Sequence, residues 1–270
     1  MSAAIAIPPL LKRTASRLVA AAAPQCGFDR ALFVLGHMRC GSTALSRVLG
    51  AHPQISGWGE AHIAYRDRAA LGQLLLAQSR RGLWKPGARY LHDKILHNRY
   101  DEAVPGDFGQ ARAIFLVRPP EPAIRSIRHL FGAIGSSEYA SDATAADYYE
   151  ARLERLAALW PRFAPDWRVA VDFAELTARP EAVLARLSAV LGLATPLANS
   201  YAAAAMPRHG AGDPLTAPHL FAITPAVARQ CLADAAGSLY LPPGRLIGLH
   251  GAYCAMRLVL FGSNSSKPSS

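Results

Sequence analysis

Residues 36–43, Gly-His-Met-Arg-Cys-Gly-Ser-Thr, directly follow a short apolar run and open a helical pattern. A glycine-bearing turn in that position exposes backbone N–H groups at a helix N-terminus, and such an end binds phosphate-sized anions. The spacing Gly36-x-x-x-x-Gly41 is that of a P-loop, but Ser42 and Thr43 stand where an ATPase carries Lys and then Ser or Thr. The lysine that grips the β- and γ-phosphates is missing, and the basic residue sits inside the loop as Arg39. Such a loop suits a ligand with one phosphate and one terminal group better than a triphosphate.

A second anion site is suggested by Arg118, which ends the apolar run RAIFLV, and by Ser126 in the helical pattern that follows. An arginine at a strand's C-terminal edge and a serine in the next helix can converge on one anion at the crevice where α/β ligands bind. Taken alone, the pair reads more readily as a surface ion pair beside a solvated serine. Two side chains could take a proton from a reacting hydroxyl: Glu60 in WGEAH, and His62 two residues on, whose unperturbed pKa of about 6.5 is nearer neutrality. Lys94 in HDKILHN could neutralise developing negative charge. His37 and His52 read as loop and helix-end residues, and Asp93 and Asp107 lack metal-ligand spacing. The cysteines, Cys26, Cys40, Cys231 and Cys254, are far apart and form no CxxC pair, so neither a zinc site nor a disulfide framework is expected.

These residues need a scaffold. The runs at 31–36, 112–117 and 167–173 read as buried strands, with 89–94 a weaker fourth and HPQISG leading into a strand that returns toward the site. Helical patterns lie at 42–49, 61–79, 122–131, 144–163 and 179–191, and alternation of strand and helix implies right-handed crossovers. The expected fold is α/β: three layers, a central mostly parallel sheet flanked by helices, and a helical C-terminal part with helices near 225–236 and 244–261. One domain over 1–262 is expected, followed by a polar, disordered tail at 263–270.

With these motifs in order, the sequence resembles the 3′-phosphoadenosine 5′-phosphosulfate (PAPS)-dependent sulfotransferases, in particular bacterial members of this P-loop-like family. Their 5′-phosphosulfate loop has Lys or Arg, a small residue, Gly, then Ser or Thr twice, as Arg39-Cys40-Gly41-Ser42-Thr43 does here. The resemblance implies that Arg39 acts at the reacting centre and that Gly41, Ser42 and Thr43 hold the 5′-phosphate. Cys40 replaces a commoner serine and contributes only its backbone N–H. VRPPEPAIRSIRH resembles the family's 3′-phosphate motif, with Arg118 and Ser126 as ligands and Pro119 where Asp is more usual. VDFAELTARPEAVLARLSAVLGL at 171–193 resembles the family's strand, loop and helix ending in Leu-Gly-Leu. Glu60 stands at a position comparable to a catalytic Gly-Glu of several branches, with His62 as the competing base. Lys94 is similar to the lysine of a Lys-Thr-Pro segment, although Ile95 and Leu96 replace Thr and Pro. The loop RHGAGDP at 208–214 resembles one that helps hold the nucleotide. The implied reaction is in-line transfer of a sulfuryl group from PAPS to the hydroxyl of a small molecule or glycan, without a metal. The alternatives are a P-loop-type phosphotransferase, which would need the absent Walker lysine, and a non-catalytic nucleotide-binding protein.

Composition agrees with an anionic ligand. Twenty-nine Lys and Arg against 19 Asp and Glu give a formal charge of +10, yet the arginines are scattered, so nucleic acid is not the expected partner. Residues 1–24 loosely imitate a signal peptide, but the run LVAAAA is too short and starts late, and no stretch reaches the roughly 20 apolar residues of a membrane span. A reducing cytoplasm is the expected location. Trp58, Trp84, Tyr139 and Phe221 are candidates to line an acceptor pocket, and the acceptor itself has no readable code in the sequence.

Overall fold

The computed structural model describes residues 9–201, 222–225 and 238–262. Five strands, β1 (Ala31–Gly36), β2 (Ile55–Ser56), β3 (Tyr90–Ile95), β4 (Arg112–Val117) and β5 (Arg168–Asp172), form one sheet in the order β2-β3-β1-β4-β5. Every pairing is parallel, with Val34 opposite Lys94 on one side and Ile114 on the other.

β1 and the interiors of β4 and β5 are short and continuously apolar because both faces are covered, whereas β3 carries His92, Asp93 and Lys94 into the sheet. Successive side chains point to opposite faces. Leu32, Val34, Ile114, Leu116, Val169 and Val171 therefore enter one core, while Phe33, Leu35, Ala113, Phe115 and Ala170 enter the other. Helices α2 (Ser42–Ala51) and α8 (Pro180–Leu191) cover the first face. Helices α3 (Ala69–Arg80), α5 (Pro120–Ala133) and α6 (Asp142–Leu159) cover the second. Short helices α4 (Asn98–Asp101) and α7 (Phe173–Ala178) complete the connections, and α9 (Pro243–Phe261) packs against α6.

The expected α/β sandwich is found, with three differences. Residues 9–22 form a helix, α1 (Pro9–Ala22), that lies on α3. The contact is close enough that a Cβ on Gly72 would come within 2.0 Å of the Ser16 carbonyl oxygen. The helix expected over 61–79 begins only at Ala69, because the chain from Glu60 onward is bent by tertiary bonds. Asp93 Oδ1 accepts the Ala61 N–H, His62 is left-handed at φ 56°, and Asp67 Oδ1 accepts the Ala69 N–H at the helix start. The segment read as one stretch from β5 to a helix contains the extra turn α7, at whose start Asp172 Oδ1 accepts the Ala174 N–H. The 208–214 loop, Phe221, Cys231, all but the first residue of the helix expected at 225–236, and the tail at 263–270 lie outside the described residues. No described helix is long and apolar enough to cross a membrane.

Candidate functional site

The site is built where β1 ends. The chain leaves Gly36, turns through residues 37–41 and enters α2 at Ser42. Gly41 holds φ at 91°, and a Cβ there would also strike the Phe173 ring at 2.7 Å, so glycine is required twice over. Because Gly41 has no side chain, nothing from the N-cap residue reaches the first N–H groups of α2, which have no intrahelical acceptors. They are the donors an anion would meet.

Arg39 is also left-handed, at φ 63°, a conformation that costs a non-glycine residue of order 1–3 kcal/mol unless its surroundings impose it. Here they do. Arg118 Nη1 donates to the Arg39 carbonyl at 3.0 Å, and Arg39 Nε donates to Ser126 Oγ at 2.8 Å. The two anion sites expected from separate motifs are thus one continuous arrangement, with Arg39 touching residues of both. Arg118 is almost wholly buried, its guanidinium lying 4.6 Å from the Phe173 ring centroid.

His37 joins the same ends from inside. Its Nε2 accepts the Arg118 N–H at 3.0 Å, so Nδ1 carries the proton and donates to the Met38 carbonyl at 2.8 Å. Burial lowers its pKa to about 4, which keeps the ring neutral and this tautomer in place.

Lys94 arrives from β3, and its Nζ donates to Thr43 Oγ1 at 3.1 Å. The neighbouring Asp93 is fully buried, with Oδ1 accepting from the Ala61 and Lys94 N–H groups and Oδ2 from the Tyr65 hydroxyl. Desolvation outweighs these bonds and raises its pKa to about 7. Glu60 is fixed from both sides: Gly59 N–H donates to Ser46 Oγ, which itself donates to His92 Nε2, and Ala61 N–H is held by Asp93. Its Oε1 is buried without a hydrogen-bond partner, 3.6 Å from His62 Nδ1. His62 is the more exposed of the two, and Nδ1 lies 3.1 Å from the Tyr100 hydroxyl. Cys40 is a buried thiol whose pKa is raised by desolvation, so its side chain is no ligand for an anion. Among the described residues no cluster of His, Cys, Asp and Glu could hold a metal.

Residues 67–196, the part that carries Lys94, Arg118 and Ser126, match the sulfotransferase family. The matched stretch is just under half of the chain. Its fold is similar to the sulfotransferase domain of the olefin synthase from Synechococcus PCC 7002, with a TM-score of 0.56 at 21% identity, covering 83% of this chain and 94% of that domain. It is also similar to the sulfotransferase domain of the curacin biosynthetic pathway, with a TM-score of 0.51 at 18% identity over 83% of this chain and 97% of that one. Mouse SULT7A1, whose structure is complexed with PAP, superposes with a TM-score of 0.53 at 15% identity over 93% of this chain and 91% of its own. Among curated proteins no sequence match is found.

In this sulfotransferase fold the residues that hold the strand ends came with no warning from the sequence. Three neighbours on α6 supply them. Arg152, fully buried, donates from Nε to the Gly36 carbonyl and from Nη2 to the Ile95 carbonyl, while Nη1 reaches Asp101 Oδ2 at 2.7 Å and Asn98 Oδ1 at 3.0 Å. Tyr149 donates to the Arg118 carbonyl, and Tyr148 donates to the Leu96 carbonyl while accepting the Met38 N–H. One helix face thereby fixes the C-terminal ends of β1, β3 and β4. The available signal was Tyr-Tyr-x-x-Arg on a helix, which reads as an ordinary amphipathic surface until the strands it meets are known.

Proposed function

We propose that this chain transfers a sulfuryl group from PAPS to an acceptor hydroxyl and releases adenosine 3′,5′-bisphosphate, with no metal taking part. The observation that carries the reading is the convergence of Arg39, Ser126 and Arg118 with the Thr43–Lys94 pair, beside the carboxylate of Glu60, whose buried Oε1 has no hydrogen-bond partner. A family match alone would not say which atoms meet.

The donor set fits a bisphosphorylated nucleotide. Gly41, Ser42 and Thr43 offer the helix N-terminus to the 5′-phosphate, with Cys40 giving a backbone N–H, and Arg118 and Ser126 offer a second anion site to the 3′-phosphate. PAPS, when bound, supplies an electrophilic sulfur and a phosphate leaving group.

Arg39 and Lys94 place positive charge where the transferring group and the leaving phosphate gain negative charge, the main source of acceleration in such a displacement. Glu60 accepts the hydroxyl proton as the acceptor oxygen bonds to sulfur and the bond from sulfur to the bridging oxygen breaks, and the bisphosphate departs with that electron pair. His62, nearer solvent and 3.6 Å away, guards the carboxylate and is the second candidate for the proton. The acceptor is a small molecule or glycan that brings its hydroxyl to this carboxylate. A reducing cytoplasm is the compartment proposed for this reaction.

Calorimetry with adenosine 3′,5′-bisphosphate and with ADP tests the donor site. The bisphosphate should bind far more tightly and without Mg²⁺. Equal affinities, or tighter ADP binding that requires Mg²⁺, would overturn the reading in favour of phosphoryl transfer. A panel of hydroxylated compounds incubated with PAPS and enzyme, searched by mass for a gain of sulfate, tests the transfer itself.

A further inference from the structure

We propose that Tyr148 is a positioning residue of the transfer reaction, its hydroxyl holding the phosphate loop in register with the strand that carries Lys94. The inference rests on the sulfuryl-transfer reading above and concerns a residue that touches no expected ligand.

Two bonds define the role. The Met38 N–H, one residue before Arg39, donates to the Tyr148 hydroxyl at 2.7 Å, and that hydroxyl donates to the Leu96 carbonyl at 2.7 Å, two residues beyond Lys94. One oxygen atom therefore connects the loop that carries Arg39 to the end of the strand that carries Lys94. Both of its hydrogen-bonding functions are used in defined directions. Burial raises the phenol's pKa well above its usual value, so the hydroxyl keeps the proton it donates.

Arg39 gives the clamp its consequence. Its left-handed backbone relaxes toward ordinary regions unless it is held on both sides. Arg118 holds its carbonyl, and Tyr148 holds the peptide N–H just ahead of it. The Met38 N–H is by the same token withdrawn from the anion site, which leaves the donors further along the loop to define where the phosphate sits. The Tyr148 ring is fixed independently, 5.1 Å from the Tyr139 centroid and 5.4 Å from that of His97. Loss of the hydroxyl alone therefore leaves the ring in place and releases only the loop.

The test is Tyr148→Phe, measured with PAPS and any acceptor that the native enzyme uses. The expected result is a kcat lowered by about tenfold to a hundredfold, the scale set by misplacing a reacting group by an ångström or less. A raised KM for PAPS, an unchanged KM for the acceptor, a melting temperature within a few degrees of native, and faster hydrogen exchange at the Met38 amide should accompany it. A Phe variant with native kcat and native Met38 exchange would overturn the proposal, as would one whose loss of activity is wholly explained by unfolding at the assay temperature. If the Phe variant does not fold, exchange at the Met38 amide in the native protein decides: strong protection supports the clamp, and exchange as fast as in an exposed loop overturns it. Failure of the sulfuryl-transfer reading looks different, because the native protein itself would then neither bind the bisphosphate nor transfer sulfate. Met38 exchange would still report on the bond.

Discussion

Lys94 Nζ stands 3.1 Å from Thr43 Oγ1, so the cation that a Walker loop would supply from its own sequence reaches this loop from the adjacent strand β3. Ser42 occupies the position that a Walker lysine would take. A lysine on a neighbouring strand enters from the side of the loop, at the level of Thr43, where one phosphate and its terminal group would lie. Lys94→Met, which keeps the aliphatic length, should lower kcat by about 10²–10³-fold, the cost of losing one preorganised charge at a transition state. Binding of adenosine 3′,5′-bisphosphate should weaken much less. Single-turnover kinetics together with calorimetry separate the two effects, and a variant with native kcat would remove Lys94 from the mechanism.

Arg118→Ala should weaken bisphosphate binding by roughly 2–5 kcal/mol, the cost of truncating one partner of a buried charged contact. ADP, which lacks the 3′-phosphate, should lose much less affinity. Part of the loss will come from the loop, because the same guanidinium holds the Arg39 carbonyl. A parallel Ser126→Ala variant, which leaves that bond intact, should lose a smaller share of affinity and the same selectivity. Equal losses for both nucleotides would place Arg118 outside the 3′-phosphate site.

Glu60→Gln should leave bisphosphate binding nearly intact while lowering kcat by about 10²–10⁴-fold, since the amide keeps the size and loses the basicity. His62→Asn should then be mild. The reverse pattern in the two variants would assign the proton to His62, which lies 3.6 Å from the same carboxylate oxygen.

Stability should depend on pH through buried groups with opposite signs. Burial lowers His37 and His92 to about 4 and His97 to about 3, so below pH 6.5 the unfolded chain takes up protons that the native state refuses, and stability falls as pH falls through that window. Asp93 is raised from 3.8 to about 7, so the native state holds a proton that the unfolded carboxyl releases, and its contribution is lost as pH rises through that range. Between about pH 4 and 6.5 the histidines outnumber the aspartate, and net stability from these groups rises with pH. Denaturant melts across this range should show a shallower acid limb for His92→Gln and a steeper one for Asp93→Asn. No change in slope for either variant would mean that these groups do not titrate as their burial implies.

Much of this was legible in the sequence. Parallel strands buried on both faces must be short and continuously apolar, so 31–36 and 112–117 stood out with nearly their observed limits. The passage from Gly41 into Ser42 and Thr43 was legible because a turn followed at once by a helix is a local device, and Gly41 shows the positive φ that such a turn needs. Arg118 and Ser126 share one strand-to-helix crossover, so their placement after β4 and on α5 too was within reach of a local reading.

The bend at 60–68, where a helix was expected, could not be read locally, because it is imposed by Asp93 and Ser46, which lie 32 and 13 residues away from the backbone groups they hold. The clamp of Tyr148, Tyr149 and Arg152 was equally hidden. A polar residue on a helix has no stated partner until the sheet brings strand ends beneath it, and Arg152 is tolerated in the core only because Gly36, Ile95, Asn98 and Asp101 converge to satisfy it. The sequence by itself determined where the turn after β1 and the crossover after β4 lie and which polar side chains they carry, since those properties follow from residue type and short-range spacing. Only the tertiary structure decided that Arg39 meets Ser126, that Lys94 meets Thr43 and that Tyr148 ties the two together, because each contact joins strands and helices that are neighbours in space and distant along the chain.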